Sequence, residues 1–254
     1  MPVTLPATEP VAAPTWVYVS NADSQEIRVL RLDESSGRVE PVAQVQTGGM
    51  VMPLAISPDR RFLYAGIRSQ PYAVQTYAID TASGRLELLA TAPLPDSMAY
   101  VSTDRSGRFL LAASYGGGLV SVSPIDGDGA VRQAAASVVK TGRNAHSILA
   151  APGNRFVFST SLGDDRVHQF TFDAATGALT PNVQAWTSSA PGAGPRHLVF
   201  HPQGRWVFVT NELRRQLCLR RAAGHVVAGR HGHAAARRLR QDRPAGGGRP
   251  APHA

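Results

Sequence analysis

Short apolar runs, each closed by a polar turn, recur along residues 15–213. The text around them repeats: SPDRRFLYAG from Ser57, TDRSGRFLLAA from Thr103, APGNRFVFST from Ala151 and HPQGRWVFVT from His201. An aromatic residue heads each run. Trp16, Phe62, Phe109, Phe156 and Trp206 stand 46, 47, 47 and 50 residues apart, and the last four follow an arginine directly. A second series keeps the same period. Alternating stretches end at Asp33, Asp80, Asp126 and Asp173, and a turn glycine follows at Gly37, Gly84, Gly129 and Gly177. Val, Ile, Tyr, Phe and Thr dominate these runs, and the Asp-to-Gly spacing closes a tight hairpin. No helical apolar spacing occurs before Leu213. Each unit therefore reads as four short antiparallel strands, A (PLAISPD), B (RFLYAGI), C (VQTYAID) and D (RLELLAT). A four-strand unit with a period in this range predicts an all-β fold, a β-propeller. About four and a half blades of four antiparallel strands are expected, and the first unit begins at its strand B.

Composition changes this picture at the two ends. Residues 1–14 are rich in proline and alanine and are predicted to be a disordered leader, with the incomplete propeller over 15–213. The net charge of +8 suggests nucleic-acid binding until the chain is divided. Residues 214–254 carry ten arginines and one acid, whereas residues 1–213 carry 16 basic and 17 acidic groups. The propeller portion has no basic stripe. The segment 214–254 is nearly all Arg, Ala, Gly, His and Pro, too poor in apolar residues to fold alone. It is expected to be a non-native or disordered tail. A basic arm and a linker are the other readings, but the repeat stops in mid-blade, which favours an out-of-frame translation. Cys218 is the only cysteine, so no disulfide forms within the chain, in keeping with a reducing compartment. No apolar run is long enough for a membrane-spanning helix. A cytoplasmic protein without nucleic-acid or membrane partners is expected.

Candidate chemistry emerges from the repeat alignment. Structural positions should agree from blade to blade, and functional ones should differ. Ten residues before each aromatic stand Met52, Ala99, His146 and Arg196, at the start of strand A. Six residues after it stand Arg68, Tyr115, Leu162 and Glu212, at the end of strand B. Antiparallel pairing puts both sets on one rim of the central channel. A base, a carboxylate and two guanidiniums there suit an anionic substrate and the hydrolysis of an activated ester or lactone. Histidine or glutamate could be the general base. His197 and His201 form H-x-x-x-H, but four strand residues span about 13 Å, too far for one metal ion. His201 is expected to cap a turn, and Gly116-Gly117-Gly118 to close a hairpin.

The segments MPLAISPDRRFLYAGIR (52–68), NAHSILAAPGNR (144–155) and GAGPRHLVFHPQGRWVFVTNEL (192–213) resemble the bacterial lactonase family of seven-bladed propellers, its 6-phosphogluconolactonase branch above all. The family is similar to fungal carboxymuconate-lactonising enzymes, whose proposed site residues are a histidine, two arginines and a glutamate. By motif these fall on His146, Arg196 and Glu212 as catalytic candidates, and the second arginine lies in a later blade. Arg68 and His197 are the candidate substrate-binding residues. The resemblance implies a hydrolase that opens a phosphorylated sugar lactone in the pentose phosphate pathway without metal or cofactor, monomeric in its full-length form. The alternatives are a muconate-type lactonising isomerase and a non-catalytic propeller that binds a partner.

Overall fold

The computed structural model describes residues 14–214 and the backbone of 217–221. Among these residues, 18 strands and one 3-10 turn, Leu162–Asp164, fall into five antiparallel sheets. The first sheet holds β1 (Thr15–Asn21), β2 (Glu26–Asp33) and β3 (Arg38–Gln46). The second holds β4 (Val51–Ile56), β5 (Phe62–Ile67), β6 (Ala73–Ile79) and β7 (Leu86–Pro93). The third holds β8 (Met98–Thr103), β9 (Phe109–Ser114), β10 (Leu119–Pro124) and β11 (Ser137–Lys140). The fourth holds β12 (Ala145–Ala150), β13 (Phe156–Ser161), β14 (Arg166–Phe172) and β15 (Leu179–Ser188). The fifth holds β16 (Pro195–Phe200), β17 (Trp206–Asn211) and β18 (Leu217–Arg221). Every sheet follows chain order, as propeller blades do.

Burial explains the hydrophobic pattern. In blades two to four the second strand is sandwiched between neighbouring sheets, so both of its faces are covered. All six residues of β9, FLLAAS, are buried, and five of six in β5. The outer strands β3 and β7 have water on one side and mix exposed with covered positions. Four apolar cores lie between the five blades. Tyr64 and Val74 meet Leu110 and Ala112 in one, and Leu111 and Val120 meet Ile148 and Phe170 in the next. The innermost strands touch across neighbouring blades, β4 with β8, β8 with β12 and β12 with β16, and so face the axis.

The two periodic series meet at these blade interfaces. A Cβ on Gly84 would overlap the Trp16 indole, one on Gly129 the Phe62 ring, and one on Gly177 the Phe109 ring. The aromatic of one blade thus rests on the hairpin glycine of the next. All three glycines have φ between +70° and +86°, where a side chain is also disfavoured by the backbone. Tyr18 Oη and Tyr64 Oη donate to the carbonyls of Gly84 and Gly129, both at 2.9 Å. The preceding arginines lie over the rings they precede: Arg61 over Phe62 at 5.2 Å, and Arg108 and Arg155 over Phe109 and Phe156 at 5.8 Å.

β18 lies beyond Leu213, in the segment where no propeller strand is expected from the sequence. It pairs with β17 from Thr210↔Leu217 to Trp206↔Arg221. A ladder needs only backbone donors and acceptors, so LCLRR serves despite its lack of β-branched residues. Residues 1–13 and 222–254, with the predicted leader and most of the predicted tail, lie outside the described residues.

Candidate active site

Each innermost strand of blades two to five carries an irregularity close to its start. The register slips between Val51 and Leu54, between Met98 and Tyr100, between Ala145 and Ser147, and between Pro195 and His197. The extra residue is Ala99 in β8, His146 in β12 and Arg196 in β16; in β4 the slip covers Met52 and Pro53. These are the residues found ten positions before the aromatics. A bulge leaves its extra residue unpaired and re-aims its side chain. The fold therefore presents a fixed column of bulged positions, and two adjacent blades place a histidine and an arginine in it.

Those two side chains meet. Arg196 Nε donates to His146 Nε2 at 3.0 Å and lies 3.1 Å from Glu212 Oε2. An arginine keeps its proton, so His146 Nε2 must be the acceptor and the ring proton sits on Nδ1. The Arg196 and Glu212 side chains are 46% and 40% exposed, so this ion pair adds little to folding. The guanidinium can turn toward a ligand at small cost.

Backbone contacts hold this arrangement. Thr160 Oγ1 donates to the Arg196 carbonyl at 2.7 Å and accepts from Ser147 N at 3.1 Å, tying the two bulges together. Asp165, with φ of +52°, accepts from Gly194 N at 2.8 Å and Gly192 N at 2.6 Å. Glu212 N in turn donates to Gly194 O at 2.7 Å. One carboxylate in blade four thus shapes the GAGPRH loop that carries Arg196 in blade five.

Aromatic rings wall the cluster. His197 stands edge-to-face with His146 at 4.8 Å and 85°, and Tyr115 does so from the other blade at 5.8 Å and 87°. Tyr100 lies 5.8 Å from His197. Burial lowers the pKa of His146, and the neighbouring His197 and Arg196 lower it further against the pull of Glu212. His197 is lowered by burial and by Arg196. Burial raises the Tyr100 phenol. Both imidazoles are thus kept neutral and available as acceptors near neutral pH.

His146, Arg196, Glu212 and His197 come together. Arg68 stands at the end of its strand on the same rim, but its Nε donates to Ser97 Oγ at 3.0 Å and its other end reaches Met52 Sδ at 3.0 Å. It braces blade two against blade three. Tyr100, Thr160 and Asp165 are missed by the sequence alignment. Tyr100 had a signal, since it follows Ala99 as His197 follows Arg196. His201 caps its turn, with Nδ1 accepting from Gln203 N at 3.1 Å. His168 is buried in β14, where it stacks on Phe170 and faces Trp186.

A histidine, a guanidinium and a carboxylate thus gather at one mouth of the propeller axis. The family described as Lactonase, 7-bladed beta-propeller, matches residues 16–223, and the chain belongs to that family. The 6-phosphogluconolactonase of Yersinia pestis (strain Pestoides F) is 42% identical over 197 residues, which cover 78% of this chain and 58% of the relative. That of Enterobacter sp. (strain 638) is 39% identical over the same shares. The solved structure of the Pseudomonas aeruginosa periplasmic gluconolactonase superposes with a TM-score of 0.76 at 27% identity, covering 88% of this chain and 69% of that one. The chain thus spans 58% of the length of the curated relatives it matches. Among the described residues no helix is long and apolar enough to cross a membrane.

Proposed function

We propose that this chain carries the lactone-opening site of a 6-phosphogluconolactonase. The observation that supports this most directly is the shared Arg196 Nε–H, held between His146 Nε2 and Glu212 Oε2. The lactone carbonyl enters beside Arg196, which turns its guanidinium from His146 toward the carbonyl oxygen. Nε2 of His146 is then free to take a proton from water. Burial keeps the His146 imidazole neutral with Nε2 as an acceptor, and we give it the base role. The water oxygen adds to the carbonyl carbon, and Arg196 stabilises the negative oxygen that forms. The ring C–O bond then breaks, and the proton held by His146 passes to the ring oxygen to leave a hydroxy acid. Glu212 orients Arg196, and His197 binds the substrate from the facing wall. Arg68, engaged with Ser97, contributes to substrate binding only by leaving that bond. No cofactor or metal enters the scheme.

The relatives named 6-phosphogluconolactonase support the choice of lactone. We place the protein in the cytoplasm, where phosphorylated sugars are retained. We expect the full-length form to be a monomer, since the three reacting side chains come from two adjacent blades of one chain and need no second copy. Opening of 6-phosphogluconolactone by the purified chain, followed against the spontaneous rate, tests the reading. Acceleration that disappears in His146→Ala is expected. A rate no faster than buffer overturns it.

A further inference from the structure

Beside the His146 cluster, on the same rim, lies a second cavity of about 410 Å³. The hairpin Gly116–Gly118 forms one wall, and Lys140, Arg143 and Asp164 face it. Tyr115 belongs to both places, since it lines this cavity and stands edge-to-face on His146. Tyr115 thus stands between the His146 cluster and this cavity.

The charges in it are unequal in availability. Asp164 is neutralised by Arg143, whose Nε and backbone N each donate to it at 2.8 Å. That pairing holds the Asp164 carboxyl below its usual range. Arg143 is further bound to the Gly163 carbonyl at 2.7 Å. Lys140 has no carboxylate partner in the described structure. Its one contact is Nζ donating to the Gly117 carbonyl at 2.9 Å, which leaves two N–H groups for a ligand. It is also the only lysine in the chain, against 25 arginines. Several arginines are engaged by carboxylates, as Arg61 is by Asp59, Arg132 by Asp128 and Arg143 by Asp164. An ammonium is a compact point charge on a flexible stem and suits a phosphate that arrives and leaves. At Gly116 a Cβ would meet nothing within 4 Å, so the hairpin leaves this side open.

We propose that this cavity holds the phosphate of the sugar lactone, with Lys140 as its principal cation, Arg143 as the second, and Tyr115 as the wall shared with the ring. This rests on the lactonase reading for the identity of the ligand. The phosphate hangs one methylene off the lactone ring, so a ring at His146 would place it beyond Tyr115. Lys140 then selects phosphorylated over plain sugar lactones without touching the reacting carbonyl.

Calorimetric titration with the products, 6-phosphogluconate and gluconate, tests this independently of turnover. Lys140→Ala in the full chain should weaken 6-phosphogluconate binding about tenfold and leave gluconate binding unchanged. Lys140→Arg should stay within about threefold of the parent, since it restores the charge. Equal effects on both ligands, no effect on either, or a parent chain that binds 6-phosphogluconate no better than gluconate would each overturn the proposal. The two readings separate cleanly. A chain that binds 6-phosphogluconate through Lys140 but opens no lactone loses only the lactonase reading. A chain that opens the phosphorylated lactone equally well as Lys140→Ala loses only the phosphate cavity.

Discussion

Replacing Gly129 by alanine tests whether the blades are geared by the aromatic–glycine contacts. Gly129 has φ of +86°, and a residue with a Cβ there costs about 1–2 kcal/mol. The new methyl also lands on the Phe62 ring. Forcing extra volume into such a contact costs about 1–3 kcal/mol. If the turn retracts instead, the Tyr64 Oη bond to the Gly129 carbonyl is lost, at about 1 kcal/mol. The sum is about 2–5 kcal/mol if the ring is crowded and about 2–3 kcal/mol if the turn retracts, a large share of the stability of an ordinary domain. Gly37 is the internal control. It closes the equivalent hairpin of blade one at φ of +71°, but its Cβ would meet nothing within 4 Å. Gly37→Ala should therefore cost only the backbone part, about 1–2 kcal/mol. Urea unfolding followed by tryptophan fluorescence gives both values, provided the slopes match the parent. Equal losses for the two variants would refute the gearing of ring on glycine.

Three further outcomes follow from the geometry. Asp165→Asn tolerates the left-handed backbone but replaces one acceptor of the Gly192 and Gly194 amides with a donor. It should leave the fold intact by circular dichroism and lower kcat/KM for the lactone about tenfold or more through a displaced Arg196. The depressed pKa of His146 keeps its base form present on acidification, so the acidic limb of kcat/KM should have its midpoint below the 6.5 of an ordinary histidine; a midpoint above that value would exclude His146 as the base. His168 is 8% exposed, and burial lowers its pKa to about 4. Its folded pKa lies below its unfolded one, so its stabilisation is complete above pH 6.5 and is lost as pH falls toward 4. This amounts to about 3 kcal/mol, which urea midpoints of parent and His168→Gln at pH 7 and 4.5 would resolve.

The fold was legible because two residue series answer to one another. Trp16 and Gly84, Phe62 and Gly129, and Phe109 and Gly177 are partners across blade interfaces, so neither series could drift without the other. The candidate site was legible for a different reason. The bulge sits at one place in every innermost strand, and four blades fill it with Met52, Ala99, His146 and Arg196. Chemistry stands out against that fixed column. What stayed hidden depends on contacts between blades rather than on position within one. The direction of the Arg68 side chain is set by Ser97 in the next blade. Asp165 and Thr160 act on backbone groups far away in sequence, and no local pattern marks them. The strand Leu217–Arg221 also escapes, because its pairing uses backbone groups while its residues are atypical of strands.

On the proposed reading, His146 as base and Glu212 as the group that aims Arg196 serve one transition state, and in the unliganded site they share one guanidinium. A double-mutant cycle on lactone opening measures this directly, with His146→Ala, Glu212→Ala and the two combined. Residues that act as a unit are strongly non-additive. The combined variant should lose no more activity than the more damaged single one, on the order of 10²–10⁴-fold. Losses that multiply, or a single variant with the parent rate, would contradict the account.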